Sequence, residues 1–415
     1  MKLAFAPCFS TQRVRRMENI VMETAHKLTG VLRDHITPDH GSGGEASCPT
    51  ILNIIDWNTR ATLDIIGRVA FNYDFRLGES DAAKRICRAW THQVMLGTTL
   101  GGFVAPLVLR ALPFILSLPF GYTKAQGDVK LCVQEIGKDM VKKRIADLGD
   151  STVDDVLFGS IVVACRGKDG QVSIDRVLDH ITTFILAGHE TTALTLSHTI
   201  YALAQHPAVQ NELRAELESF GHEPTFDDFH DNKQLKMLDA VMKEGMRLFP
   251  PAPLGDQIAM EDDIIPLGRP VRTKDGSHIH SIHIRKGQII AIPRIAINMR
   301  RSLWGPDGTE FMPARWLKMA NDAYPKAMMS GWNNLSTFSE GGHMCLGYRL
   351  AVFEFKAILY ALVKTFKFDR VDGIKIQNKR STGLHPTVIE NSGEASHITM
   401  DEPWLPVKVS LVTPH

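Results

Sequence analysis

Residues 338–347 read FSEGGHMCLG and set three glycines around Cys345, directly ahead of a strongly periodic helical pattern over 346–365. Glycine permits tight backbone approach and unusual φ/ψ values, so such a loop can wrap a flat, bulky group while the cysteine sulfur points at its centre. N–H groups at the start of the following helix would stabilise a thiolate and temper its electron donation. The same residues also suit a buried thiol in a helix-capping turn, because free cysteine is among the most buried residue types.

Two other clusters carry chemistry-bearing side chains. In KMLDAVMKEGMRLFP, Glu244 and Arg247 are three apart and share a helical face, the spacing of a local ion pair. Taken alone, this also describes a surface pair worth about 0.3 kcal/mol. In FILAGHETTALTL, Gly188, Glu190, Thr191 and Thr192 interrupt an apolar run. Gly188 thins the helix and leaves room for a ligand. Thr191 can bond back to an upstream carbonyl and open the helical ladder, giving a polar niche in which Glu190 and Thr191 pass protons through water. A long core helix with internally satisfied polar residues is the competing reading.

The elements that must position these groups are mostly helical. Apolar spacing predicts helices over 58–77, 83–96, 128–148, 173–206, 209–220, 235–249 and 346–365, with Pro207 and Pro250 as stops. Short extended runs at 264–270, 281–284 and 288–292 form a small β region, and the tail reads as hairpins ending in LPVKVS. Residues 220–232 read as a polar loop, and 305–318 and 321–335 as irregular. No repeat or linker divides the chain, so the expected architecture is mainly α with a smaller β portion, one domain over 1–415.

Composition narrows the function classes. The 415 residues, 44% of them hydrophobic, can bury a large core. Forty-seven basic against 46 acidic side chains leave a net charge of +1, which gives no global field for nucleic acid or an anionic bilayer. The cysteines at 8, 48, 87, 132, 165 and 345 contain no CxxC pair, so neither a disulfide framework nor a structural zinc site is expected, and reducing surroundings fit best. The apolar stretch 94–122 is cut by Arg110, Pro106, Pro113 and Pro119 and reads as buried or interfacial helix rather than a membrane span.

On these residues the chain resembles the cytochrome P450 superfamily, and looks most like its fungal members. Phe338, Gly341, Cys345 and Gly347 match the haem-binding signature FxxGxxxCxG; Glu244 and Arg247 match ExxR; Phe311, Pro313 and Arg315 match a further family motif. Residues 187–192 resemble the oxygen-activation motif, and the three constellations stand in the family order. The resemblance implies a P450 fold with haem b held by the Cys345 thiolate, which pushes electron density to favour O–O cleavage. It also implies Phe338 against the ring, His343 on a haem propionate, Glu190 and Thr191 as proton relay, and Glu244, Arg247 and Arg315 as a structural network. The implied reaction is monooxygenation of a small apolar substrate by dioxygen, with electrons from NADPH through a flavoprotein reductase, on the cytoplasmic face of the endoplasmic reticulum.

Some positions depart from the family pattern. Ala314 stands where a carboxylate is usual, and Gln257 stands where fungal relatives commonly carry a propionate-binding Arg, with Arg272 as the candidate substitute. No membrane anchor, first sheet portion or WxxxR helix is visible before Thr191, so the expectation is a haem domain incomplete at its amino terminus, with membrane contact belonging to a longer form. Two other functions stay open at this level: a haem-thiolate isomerase or peroxygenase, and a haem-poor remnant that only binds or supports other molecules.

Overall fold

The computed structural model describes residues 5–37, 49–101, 104, 108, 121–147, 156–167, 171–319, 331–381, 383–393, 396–398 and 403–412. Its helices are α1 (Thr11–Arg15), α2 (Glu18–Ile36), α3 (Ile54–Phe71), α4 (Asp81–Thr98), α5 (Gly121–Asp147), α6 (Val156–Ala164), α7 (Ile174–Gln205), α8 (Pro207–Ser219), α9 (Phe226–Asp231), α10 (Lys236–Leu248), α11 (Arg294–Asn298), α12 (Arg301–Trp304), α13 (Ala314–Met319) and α14 (Tyr348–Thr365). The strands are β1 (Thr50–Asn53), β2 (Gly255–Ile258), β3 (Asp263–Arg272), β4 (His278–Ile284), β5 (Ile289–Ile292), β6 (Phe366–Asp369), β7 (Ile374–Arg380), β8 (Leu384–Asn391) and β9 (Pro406–Leu411).

Several of these differ from the sequence expectations. The stretch expected as a polar loop contains α9, whose start is fixed by a capping box in which Thr225 and Asp228 satisfy each other's backbone N–H. The segment expected as irregular contains α13, and α12 just precedes it; both are too short to display a period. Helix α2 was not anticipated, although Val21, Ala25, Leu28 and Leu32 recur along one buried face. In the tail, β7 and β8 form a hairpin, but β9 inserts between β1 and β6, with Thr50 opposite Val409 and Phe368 opposite Val409 on the other side. Most of 94–122 lies outside the described residues.

Helix α7 is the axis of the molecule. It runs unbroken until Pro207, which cannot continue it and instead opens α8. Ile181, Ile185, Leu196, Ile200 and Leu203 are fully buried in a core shared with Leu28 of α2, Ile65 of α3, Leu213 of α8, Leu238 of α10 and Ile358 of α14. Each such side chain contributes about 1.5–3 kcal/mol by leaving water. Polar pins fix the register of α3 on α7: Asn58 Nδ2 donates to Ser197 Oγ at 2.9 Å, and the Thr62 hydroxyl donates to the His189 carbonyl at 2.5 Å. Gly188 sits at this contact, where a Cβ would lie 2.7 Å from Ile66 Cγ1. The room it leaves lets α3 approach closely, and Gly188 and Ile66 both also border the cavity between α7 and α14.

Glu244 on α10 organises the side of the core that faces the cysteine loop. Its carboxylate accepts from Arg247 Nε and Nη2 at 2.9 Å each, Arg315 Nε at 3.0 Å, Trp316 Nε1 at 2.9 Å and Met312 N at 2.8 Å. All three charged residues are fully buried. Asp307 Oδ1 lies 3.7 Å from Arg315 Nη1, so a carboxylate three residues beyond the end of α12 serves the cation that Ala314 cannot. Arg247 Nη1 also donates to the Asn298 carbonyl at 3.2 Å. Asn298 in turn accepts from Ser336 N at 2.8 Å and donates to Thr337 Oγ1 at 2.9 Å. The charged cluster thus reaches the residues that lead into Phe338.

Where α14 meets α7, Glu354 is buried and hydrogen bonded to Thr192; burial pushes its carboxyl up to about 8. Two predictions follow from this packing. Glu244→Ala leaves two guanidiniums buried without their carboxylate and should cost about 3–5 kcal/mol in denaturant unfolding; a loss below about 1 kcal/mol would contradict the role given to it. For Glu354, the unfolded carboxyl ionises above its ordinary 4.5 while the folded one keeps its proton until about 8. Stability should therefore fall as pH rises through that window, by up to about 1.4 kcal/mol per unit, and level off above it. Glu354→Gln should flatten the difference, as read from melting temperatures of both forms across pH.

Candidate active site

A cavity of about 390 Å³ lies between α7 and α14 and is bordered by the cysteine loop. The loop closes on itself, because Cys345 N donates to the Phe338 carbonyl at 2.7 Å. Within it, residues 341–343 make one tight turn, with Gly341 at φ +55°, a region that favours glycine. Gly347 is the N-cap of α14, so Cys345 stands two residues ahead of a helix start, where N–H groups favour negative charge. The Phe338 ring is braced edge-on by Trp332 at 5.1 Å.

The structure brings Phe338, His343, Cys345 and Gly347 to the cavity wall; Gly341 shapes the turn without lining it. Thr191 lines the opposite side with Ala187 and Gly188, and its hydroxyl donates to the Ala187 carbonyl at 2.8 Å. The helix stays continuous through this bond. Glu190 does not join Thr191. Neighbours on a helix diverge by about 100°, and Glu190 turns to a second cavity of about 490 Å³ on the side of α4. There its carboxylate accepts from Trp90 Nε1 and lies 3.3 Å from His385 Nε2. Burial, with His198 nearby, pushes His385 down to about 3, so the ring is neutral near pH 7 and the approach is not an ion pair between full charges.

Glu244, Arg247 and Arg315 meet behind the cavity and line neither hollow. Gln257 sits on β2 opposite Ile290, outside the cavity wall. Arg272 pairs with His278 near the tip of the exposed β3–β4 hairpin and is no nearer. Among the cavity residues that the sequence reading did not single out are Arg294, Ser339 and Glu354. Glu354 had a visible signal, an acid inside the apolar periodic run of α14.

The lining suits a flat cofactor. Phe9, Phe184, Leu346 and Leu350 give apolar surface, Cys345 offers a single sulfur, and His343 with Arg294 makes one polar edge. Among the described residues no three His, Cys, Asp or Glu side chains converge on a metal. A single sulfur in an apolar surround would fit a metal carried by an organic macrocycle, with Cys345 as the residue that would hold it.

Comparison with known proteins agrees with this geometry. The family model described as Cytochrome P450 matches residues 2–390. The chain is 31% identical over 405 residues to "Cytochrome P450 monooxygenase 205" of Postia placenta, covering 93% of this chain and 71% of that protein. It is 29% identical to "Cytochrome P450 monooxygenase claW" of Ampulloclitocybe clavipes, over 94% of this chain and 72% of that one, and 27% identical to "Ganoderic acid synthetase CYP5150L8" of Ganoderma lucidum, over 93% and 73%. A crystal structure of a cytochrome P450 (CYP102L1) shares the fold, with a TM-score of 0.69 at 19% identity over 99% of this chain and 77% of that one. The helical slot, the glycine-turned cysteine beneath it and the matched relatives together make this chain a member of the cytochrome P450 family.

Proposed function

We propose that the chain is a haem-thiolate monooxygenase that converts an apolar organic substrate R–H, with dioxygen, two electrons and two protons, to R–OH and water. The observation that carries this reading is Cys345 on one side of an apolar cavity with Thr191 on the other. Haem b, when bound, supplies the reduction and splitting of dioxygen. Cys345 would hold its iron by the thiolate sulfur, and the start of α14 favours the negative charge this needs. Phe338, held by Trp332, lines the cavity wall along with Cys345, whose side chain is exposed to the hollow. His343 is placed to donate to a carboxylate at the rim.

Thr191 is the hydroxyl at the cavity. It keeps its own proton on the Ala187 carbonyl and, being exposed to the cavity, can exchange that bond for one to water and so pass protons inward. Glu190 acts from the far side of α7. Its bonds to Trp90 and His385 tie α4 and β8 to the helix behind Thr191, a positioning role. Electrons come from NADPH through a flavoprotein reductase docking on the cysteine side, and the reaction belongs at the cytoplasmic face of the endoplasmic reticulum. Among the described residues no helix is long and apolar enough to cross a membrane. The apolar lining favours an apolar substrate.

The purified chain should carry haem near one per polypeptide. Reduced and treated with carbon monoxide, it should give the red-shifted Soret band from which the family takes its name. Cys345→Ala should remove that band; its absence from well-folded wild type would sink the assignment, and haem near zero would favour a binding remnant. Thr191→Ala should lower product formed per NADPH oxidised by about tenfold or more, with hydrogen peroxide appearing in its place. Product formation that needs neither reductase nor NADPH would point instead to a peroxide-using or isomerising enzyme.

A further inference from the structure

Arg294 follows β5 and Pro293 and opens α11, and its guanidinium reaches the wall of the cavity that holds Cys345 and His343. There it is half-buried, and its described partners are neutral oxygens: Ser339 Oγ, 3.2 Å from Nε and 2.9 Å from Nη2, and the Ala252 carbonyl, 3.2 Å from Nη1. Burial pushes its pKa down, opposed by Asp256, yet a guanidinium stays charged at any physiological pH. A half-buried cation whose described hydrogen bonds all go to neutral oxygens lowers its energy by meeting an anion.

The surroundings are shaped around this side chain. Gly255 pairs with Ile292 beside it, and a side chain there would crowd the end of the Arg294 guanidinium. Ser339 is held at φ +58°, a left-handed conformation that is strained for a non-glycine residue, and its hydroxyl accepts both Arg294 bonds. Gly255 thus leaves the guanidinium room, and Ser339 holds it by two hydrogen bonds.

We propose that Arg294 binds a propionate carboxylate at the haem rim, supplying from the end of β5 the positive charge that is absent at Gln257 on the paired strand β2. This rests on the haem-thiolate reading above. Arg294 is a cofactor-binding residue in this account, and Ser339 and Gly255 position it.

The test compares the full haem-free chain with its Arg294→Gln and Arg294→Lys forms in spectroscopic titrations with ferric haem and with haem dimethyl ester, whose carboxylates are masked. Arg294→Gln should weaken haem binding by roughly 10- to 100-fold while leaving dimethyl ester binding unchanged. Arg294→Lys, which keeps the charge, should recover part of the loss. An equal loss with haem and ester would make Arg294 structural and overturn the inference, as would unchanged haem binding or a lysine form no better than glutamine. If Arg294→Gln does not fold, the lysine form against the two haems still decides, since it must favour the free acid less than wild type does. Wild type that takes up neither haem would instead overturn the haem-thiolate reading itself, and this inference with it.

Discussion

A carboxylate buried without water at Glu244 constrains much of what surrounds the cavity. Removing such an ion from solvent costs several kcal/mol, recovered only if its lone pairs are met in good geometry. Here five N–H groups meet it, from Arg247, Arg315, Trp316 and the Met312 backbone. Those donors come from α10, α13 and the segment ahead of α13, so the charge can be buried only when all three are assembled. Arg247 then spends its other nitrogen on Asn298, and Asn298 grips Ser336 and Thr337. The entry to the cysteine loop is thereby tied to a group that tolerates little displacement. A loop rich in glycine has little stiffness of its own, and this chain of bonds gives it a fixed base.

Helix α7 meets the opposite demand, since it must be rigid while offering different chemistry on each face. Its close contact with α3 through Gly188 and Ile66 supplies stiffness. Thr191 bonds within the helix and faces the cavity, Thr192 turns to Glu354, and Glu190 points to Trp90 and His385. Three consecutive polar residues thus face three different partners, which explains how an apolar core helix carries them without burying an unmet donor at each. The buried acid at Glu354 stays protonated near neutrality and so places no charge beside the cavity.

What could be read in advance follows the reach of each interaction. The cysteine loop, the Glu244 and Arg247 spacing and the long helices are local patterns, set by periods of a few residues, and the sequence displays them directly. The partners of Glu244 lie about α13, far along the chain, and only family resemblance pointed to Arg315; Asp307 had no signal at all. The polarity of Thr225 to Asp231 suggested a loop because capping residues and loop residues are the same types. Adjacent Glu190 and Thr191 looked like one relay because a linear string hides the angle between successive side chains. Helix α2 carries a readable apolar spacing at Val21, Ala25, Leu28 and Leu32, but one less sharply segregated than that of α10.

The same distinction bears on Gln257. A sequence comparison made position by position finds a lost cation there and looks for a replacement in other arginines of the neighbourhood, such as Arg272. Pairing of β2 with β5 makes the true neighbourhood a different one: Gly255 lies across from Ile292, and Arg294 stands two residues beyond. A carboxylate at the cavity rim responds to the field and the donors that reach it, and these are indifferent to which strand of a ladder delivers them. A charge can therefore move across a β-ladder without loss of the contact, provided that the position it passes becomes small and the residue it leans on can be held in place. Gly255 and the left-handed Ser339 meet those two conditions, so under the proposal above the neutral amide at Gln257 leaves the rim with a cation delivered from β5.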